Sequence, residues 1–192
     1  MTVSYVGTFS ISGNATAIQG SFTLLPGDLL LGFALNSANV LITPPTGFSP
    51  LITTQGQIVV FYHFYKTGDP TSYTFTALSG TTYATVVVYR AASLWMTDHS
   101  APGTRSGSNY LISSPAISYP NAFGVLASSS QTSSLGTPSA LTYRNGTGVP
   151  VYDTAGVVSG AFPSYGFQSL QSTDTVTVVT LYPTTSSIIM VV

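Results

Sequence analysis

The sequence predicts an all-β fold, a two-sheet antiparallel β-sandwich, and three observations carry that prediction. Period-two alternation and runs of β-branched or aromatic residues recur along the chain, whereas helical periodicity is hard to find anywhere. Gly, Pro, Asn and Asp interrupt these runs at short intervals, as turns between strands require. The 192 residues are enough to bury one real core, so a single domain over 1–192 is expected.

The elements follow in order. Val3, Tyr5, Gly7, Phe9 and Ile11 alternate with polar residues, which predicts a first strand with one face turned inward. A second strand is expected from Ala17 to Leu24. After Pro26-Gly27-Asp28, the run Leu29-Leu30-Leu31-Gly32-Phe33-Ala34-Leu35 has the length and flanks of a strand buried on both faces. Gln57 to Tyr65 and Tyr83 to Arg90 read as further core strands, and Ser72 to Ala77 alternates Tyr73, Phe75 and Ala77 with threonines. Residues 93–119 are rich in Ser, Gly and Pro and read as a connector. A tight hairpin turn is expected at Asn145-Gly146, between Leu141–Arg144 and Val149–Tyr152. Ile188 to Val192 reads as a last strand.

Beyond the connector the pattern restarts. Pro26 and Pro44 are as far apart as Pro120 and Pro138, and an apolar run follows the first proline of each pair. Ser72-Tyr73-Thr74-Phe75 leads to Val86-Val87-Val88-Tyr89 much as Ser164-Tyr165-Gly166-Phe167 leads to Val178-Val179-Thr180-Leu181-Tyr182. The sandwich is therefore expected to consist of two similar halves, about 1–92 and 115–183, whose strands can interleave in the same two sheets. Chance similarity between two β-rich stretches is the alternative.

Composition restricts function. Hydrophobic residues make up 44% of the chain and charged ones only 5%, against roughly 25% in an average soluble protein. Lys66, Arg90, Arg105 and Arg144 are scattered, so no nucleic-acid partner is expected, because phosphate binding needs grouped cations. A net charge of −1 gives no steering field and little repulsion between copies. With no cysteine, thiolate chemistry and disulfides are excluded. Met1 to Ser12 has neither the cationic start nor the apolar stretch of a signal peptide, and no window has the length of a membrane helix.

Candidate chemistry is sparse. The acid–base groups are Asp28, Asp69, Asp98, Asp153, Asp174, His63 and His99, and no Gly-x-Ser-x-Gly elbow accompanies them. The aspartates sit beside turn signals, where turn capping is the expected role. His63 should share a face with Phe61 and Tyr65 and pack there with one hydrogen bond. No catalytic residue, no cofactor and no metal site is expected; a calcium site built from loops is the alternative for metal, since the EF-hand spacing is absent. Exposed aromatics flanked by hydroxyls could stack on a sugar, and Trp95, Tyr110 and Tyr119 in the loop-rich middle are the candidates for ligand or partner contact.

Pro26-Gly27-Asp28, Thr43-Pro44-Pro45-Thr46-Gly47, Gly68-Asp69-Pro70-Thr71-Ser72-Tyr73-Thr74-Phe75 and Val86-Val87-Val88-Tyr89-Arg90 form an ordered set. The set resembles the concanavalin A-like or jelly-roll domains of bacteriophage head, tail and fibre surface proteins and some bacterial surface proteins. The resemblance covers Val3 to about Ala92 well and Pro115 to Pro183 loosely. It implies a sandwich used for assembly or attachment and carries over no catalytic residue.

The expected function is thus that of a non-enzymatic virion protein, assembled in the host cytoplasm, most simply a head decoration or cement subunit. Its partners would be other capsid or tail proteins and further copies of itself, with a trimer fitting local three-fold positions. The alternative is a tail or fibre adhesin that binds a host glycan. No membrane partner is expected.

Overall fold

The computed structural model describes residues 2–12, 15–52, 58–91, 94–102, 104–106, 109–114, 116–120, 122–129, 140–145, 149–156, 158–169 and 175–183. Among them every regular element is a strand and every ladder is antiparallel, as the alternation predicts.

A first five-stranded sheet has the order β1 (Ser4–Thr8), β10 (Thr82–Arg90), β4 (Leu29–Asn36), β7 (Ile58–Phe64), β6 (Ser49–Ile52). A second has the order β11 (Leu94–Pro102), β20 (Thr175–Pro183), β15 (Phe123–Ser128), β17 (Val151–Asp153), β16 (Thr142–Asn145). Shorter ladders accompany each large sheet. In the first half they are β2 (Ser10–Ser12), β3 (Thr16–Ile18) and β8 (Ser72–Thr74), and β5 (Ile42–Thr43) with β9 (Thr76–Ala77). In the second half they are β12 (Thr104–Ser106), β13 (Asn109–Ser113) and β19 (Gly166–Ser169), and β14 (Ile117–Pro120) with β18 (Ala161–Phe162).

The large sheets face each other. Leu29, Leu31, Phe33 and Leu35 of β4 and Val87 and Tyr89 of β10 share one buried cluster with Phe123, Val125 and Ala127 of β15 and Val179 and Leu181 of β20. The alternate residues Leu30, Ala34, Val86 and Val88 turn the other way, onto Ala17, Tyr73 and Phe75 of the shorter strands and the turn after β8. In the second half Leu126, Val176 and Val178 do the same onto Tyr165 and Phe167. Each large sheet is thus buried on both faces, which is why its central strands read as continuous apolar runs rather than alternating ones. Truncating a residue such as Leu31 to Ala in this core should cost about 2–5 kcal/mol.

Each large sheet is drawn wholly from one half of the chain, so strands of the two halves do not interleave. The reason lies in the ladders: β10 closes on β4 and β1, and β20 on β15 and β11, which leaves sheet-to-sheet packing as the way the halves meet. The order of strands is the same in both sheets, the first, fifth, second, fourth and third of the five in sequence. In this alignment Leu31 and Val125, and Val87 and Val179, occupy matching register positions. Tyr89 then matches Leu181 rather than Tyr182, because Tyr89 pairs with Leu29 and Leu181 with Phe123.

Four further expectations need correction. Residues 93–119 are not a connector: β11 takes the edge of the second sheet, and β12, β13 and β14 follow it, because pairing with β20 and β19 overrides a loop-like composition. The first strand does not keep one face. Tyr5 pairs with Tyr89 and Gly7 with Val88, so Val6 is an extra, bulged residue; Val3 joins the core between the sheets whereas Phe9 joins the outer one. The second strand is shorter than Ala17–Leu24, ending at Ile18. β16 and β17 do pair as neighbours, but the expected tight turn at Asn145-Gly146 needs correction: Asn145 is the last residue of β16, paired to Val151, so the connection spans 146–150, of which 146–148 lie outside the described residues, as does Ile188–Val192.

Candidate functional site

Three clusters hold the described carboxylates. Asp28, buried at the start of β4, receives two bonds from Arg90 at the end of β10: Nε donates to Oδ1 at 2.6 Å and Nη2 to Oδ2 at 2.7 Å. Leu25 N also donates to Oδ2, and Arg90 Nη2 to Thr23 O. The fork matches guanidinium to carboxylate, and hydrogen bonding to Asp28 raises Arg90 above its ordinary value. Pro26-Gly27-Asp28 and Tyr89-Arg90, far apart in sequence, thereby lock one end of the first sheet.

His63 lies on the outer face of β7, stacked near Phe48 and Tyr73. Its Nδ1 is 2.9 Å from Gly47 O and its Nε2 is 2.6 Å from Asp69 Oδ2, so it has two partners rather than one. Asp69 Oδ2 also accepts from Lys66 N at 2.6 Å. Burial pushes the Asp69 carboxyl up, but the Lys66 amide, the His63 hydrogen bond and the charges of both residues outweigh it and hold the group below 3.8. Gly47 has φ of +92°, and a Cβ there would come within 3.2 Å of the His63 ring, so the turn requires glycine. Both imidazole nitrogens are occupied by these fold contacts, and neither meets a hydroxyl nucleophile.

The third cluster lies between the halves. Asp153, fully buried at the end of β17, accepts from Arg144 Nε at 2.7 Å, from Tyr89 OH at 3.0 Å and from Ala155 N at 2.9 Å. Arg144 sits 4.1 Å over the ring of Tyr5, whose hydroxyl meets Thr8 Oγ1 at 2.7 Å; that oxygen donates to Arg144 O at 3.0 Å. Burial, and then the Asp153 charge, push the Tyr89 hydroxyl far above its usual value. Burial pushes Arg144 down, but its bond to Asp153 and the charges of Asp153, Tyr89 and Tyr5 together outweigh that and raise it. Arg144 is the extra residue of a bulge in β16, because Tyr143 pairs with Tyr152 and Asn145 with Val151. The first half carries the same bulge in β6, where Pro50 pairs with Phe61 and Ile52 with Val60, and the extra residue there is Leu51, packed against the apolar core. One edge of the inter-sheet layer is thus ionic at the bulge and the other apolar.

None of these clusters has a metal's geometry: among the described residues no three of His, Cys, Asp and Glu gather. Nor, among them, is any helix long and apolar enough to cross a membrane.

The three aromatic candidates are not brought into one strand. Trp95 is in β11 opposite Tyr182, Tyr110 in β13 opposite Arg105 and Ser169, and Tyr119 in β14. Their side chains lie outside the described residues, as do those of Asp98, His99 and Asp174.

The surface feature that sequence reading missed is a pair of leucines. Ile42 pairs with Ala77 and Thr43 with Thr76, so the register of β5 and β9 sets Leu41 opposite Leu78, and these are 82% and 99% exposed. Their base is held by Asn36, whose Nδ2 donates to Ser79 O at 2.9 Å and Thr82 Oγ1 at 3.0 Å while Oδ1 accepts from Ala38 N at 2.9 Å. Ser37 and Thr81 add a reciprocal pair of bonds, Ser37 N to Thr81 O and Thr81 N to Ser37 Oγ. Scattered exposed leucines are ordinary, but two at the neighbouring ends of one braced ladder give this tip an apolar surface.

Comparison of the chain with protein-family models, with curated proteins and with solved structures finds no match.

Proposed function

We propose that the chain is a non-enzymatic structural protein of a bacteriophage particle, a head decoration or cement subunit that covers or stabilises the capsid through protein–protein contacts. The observation that carries this reading is the use of charge. Every carboxylate among those with described side chains is consumed by the fold, Asp28 by Arg90, Asp69 by His63 and Asp153 by Arg144, while the exposed tip offers Leu41 and Leu78. Chemistry needs polar groups held ready for a substrate, whereas cohesion between subunits needs apolar and hydroxyl surface without repulsion. The sequence resemblance to phage surface domains supports the same reading and supplies the particle.

The direct test mixes the purified chain with capsids and with tails of the particle that encodes it, followed by sedimentation and imaging. Cosedimentation with capsids at defined lattice positions is expected, and Leu41→Ser with Leu78→Ser should weaken it while leaving the fold intact. A chain that stays in the supernatant with both capsids and tails would overturn the proposal. Attachment to tails combined with binding on a glycan array would replace it by the adhesin reading.

A further inference from the structure

The two large sheets have four outer strands, and three are built the way proteins guard exposed edges, short and interrupted. β1 has 5 residues and the Val6 bulge. β6 has 4 residues, with Pro50 and the Leu51 bulge. β16 has 4 residues and the Arg144 bulge. The fourth, β11, is unlike them. It has 9 residues, and all are paired to β20 in unbroken register, from Leu94 opposite Pro183 to Pro102 opposite Thr175. Its one proline is the last residue, and among the described residues no strand pairs with its other side.

In an antiparallel ladder successive residues point their N–H and C=O groups to alternate sides. About half of the main-chain groups of β11 are therefore directed away from β20. A long, straight row of such groups is a template for another strand.

We propose that β11 is a strand-addition edge, and that its occupant is β11 of a second copy, paired antiparallel about a two-fold axis. Two features favour a second copy. A net charge of −1 means that identical chains meet with almost no repulsion. Self-pairing is also isologous, so each copy satisfies the open edge of the other and the assembly closes with none left over, whereas a head-to-tail pairing would leave one exposed. The second sheet then runs through the contact into its symmetry mate as one continuous sheet. This inference stands on strand geometry and does not depend on the particle reading.

The test uses the full chain and two variants, Thr97→Pro and Asp98→Pro. Because neighbouring residues face opposite sides, one of these prolines removes a donor turned to β20 and the other a donor turned outward. Size-exclusion chromatography with light scattering should show a dimer for the unaltered chain. One proline variant should become monomeric with its thermal midpoint little changed, since proline is tolerated on the open side of an edge strand, and the other should unfold at lower temperature. Amide hydrogen exchange on the unaltered chain gives a second reading that survives if both variants misfold: a paired edge protects consecutive amides along β11, an open one only alternate amides. A monomer at all concentrations, a dimer indifferent to both prolines, or alternate protection would each overturn the proposal.

Discussion

Removing the Asp153 carboxylate is expected to be among the most costly single changes in the molecule. The side chain is fully buried and accepts three hydrogen bonds, one from a guanidinium, one from the Tyr89 hydroxyl and one from the Ala155 amide. Asp153→Ala strands a largely buried cation and a fully buried hydroxyl at once. Breaking a buried ion pair by deleting one partner costs about 3–5 kcal/mol, and an orphaned buried donor about 1–3 kcal/mol. These overlap rather than add, because a relaxed Arg144 can swing partly to solvent, so about 4 kcal/mol is the expected loss. Tyr89→Phe, which deletes one donor and leaves the ion pair, should cost about 1.5–3 kcal/mol. The matching edge of the other half supplies a third arm. There the bulge residue is Leu51, and a buried ion pair replaced by packed apolar groups is often neutral or stabilising. Arg144→Leu combined with Asp153→Leu should therefore recover most of what Asp153→Ala loses. Urea denaturation followed by circular dichroism measures all three. An Asp153→Ala variant within about 1 kcal/mol of the unaltered chain would refute the reasoning, as would a double-leucine variant no better than the single alanine.

Two other predictions concern the outer face of the first sheet. The Tyr73 hydroxyl is buried without a hydrogen-bond partner, so Tyr73→Phe should be neutral or stabilise by about 1 kcal/mol, read by thermal melting. Burial, with help from Asp69, pushes Tyr73 up to about 12 from 10.0, so between about pH 10 and 12 the unfolded chain gives up this proton while the folded one holds it, stability falls as pH rises through that window, and Tyr73→Phe should flatten this alkaline decline. Asp69 behaves oppositely. Its folded value is depressed below 3.8, so its contribution is present above that pH and disappears as pH falls through the folded value. Asp69→Asn should accordingly lower stability at neutral pH and shrink the acid-induced loss, measured by denaturation at stepped pH; an unchanged acid slope would exclude the His63–Asp69 contact.

How far the sequence spoke differs by element. Leu29–Leu35 was legible because burial on both faces removes every polar position from a strand, and the shortness of the apolar run and the Pro26-Gly27-Asp28 turn before it favour a strand over a buried helix. The division of each half into a large sheet and shorter covering strands was not, since strands such as β5 and β9 are two residues long and exist only through their partner. β11 was hidden by its surroundings: Gly and Ser after Pro102 coloured the whole stretch as loop, although Leu94-Trp95-Met96-Thr97 is good strand sequence. The aspartates were readable as turn residues, but their partners were not. Arg90 reaches Asp28 across the sheet, and Arg144 points inward because a bulge turns it there, a feature without a local sequence signature.

The paired bulges have a consequence for how the molecule can vary. In a dimer of identical chains any residue at the seam is present twice, so an arginine suited to one edge is forced on the other as well. Here the two seams belong to one polypeptide, and Arg144 and Leu51 hold equivalent places without constraining each other. Each seam can be tuned by a single codon, and a mispaired arrangement with the halves turned end for end would keep the Arg144–Asp153 pair, which lies within the second sheet, but would take from it Tyr89, Tyr5 and Thr8 of the first half. The inequality between the seams labels one way of closing the sandwich as correct.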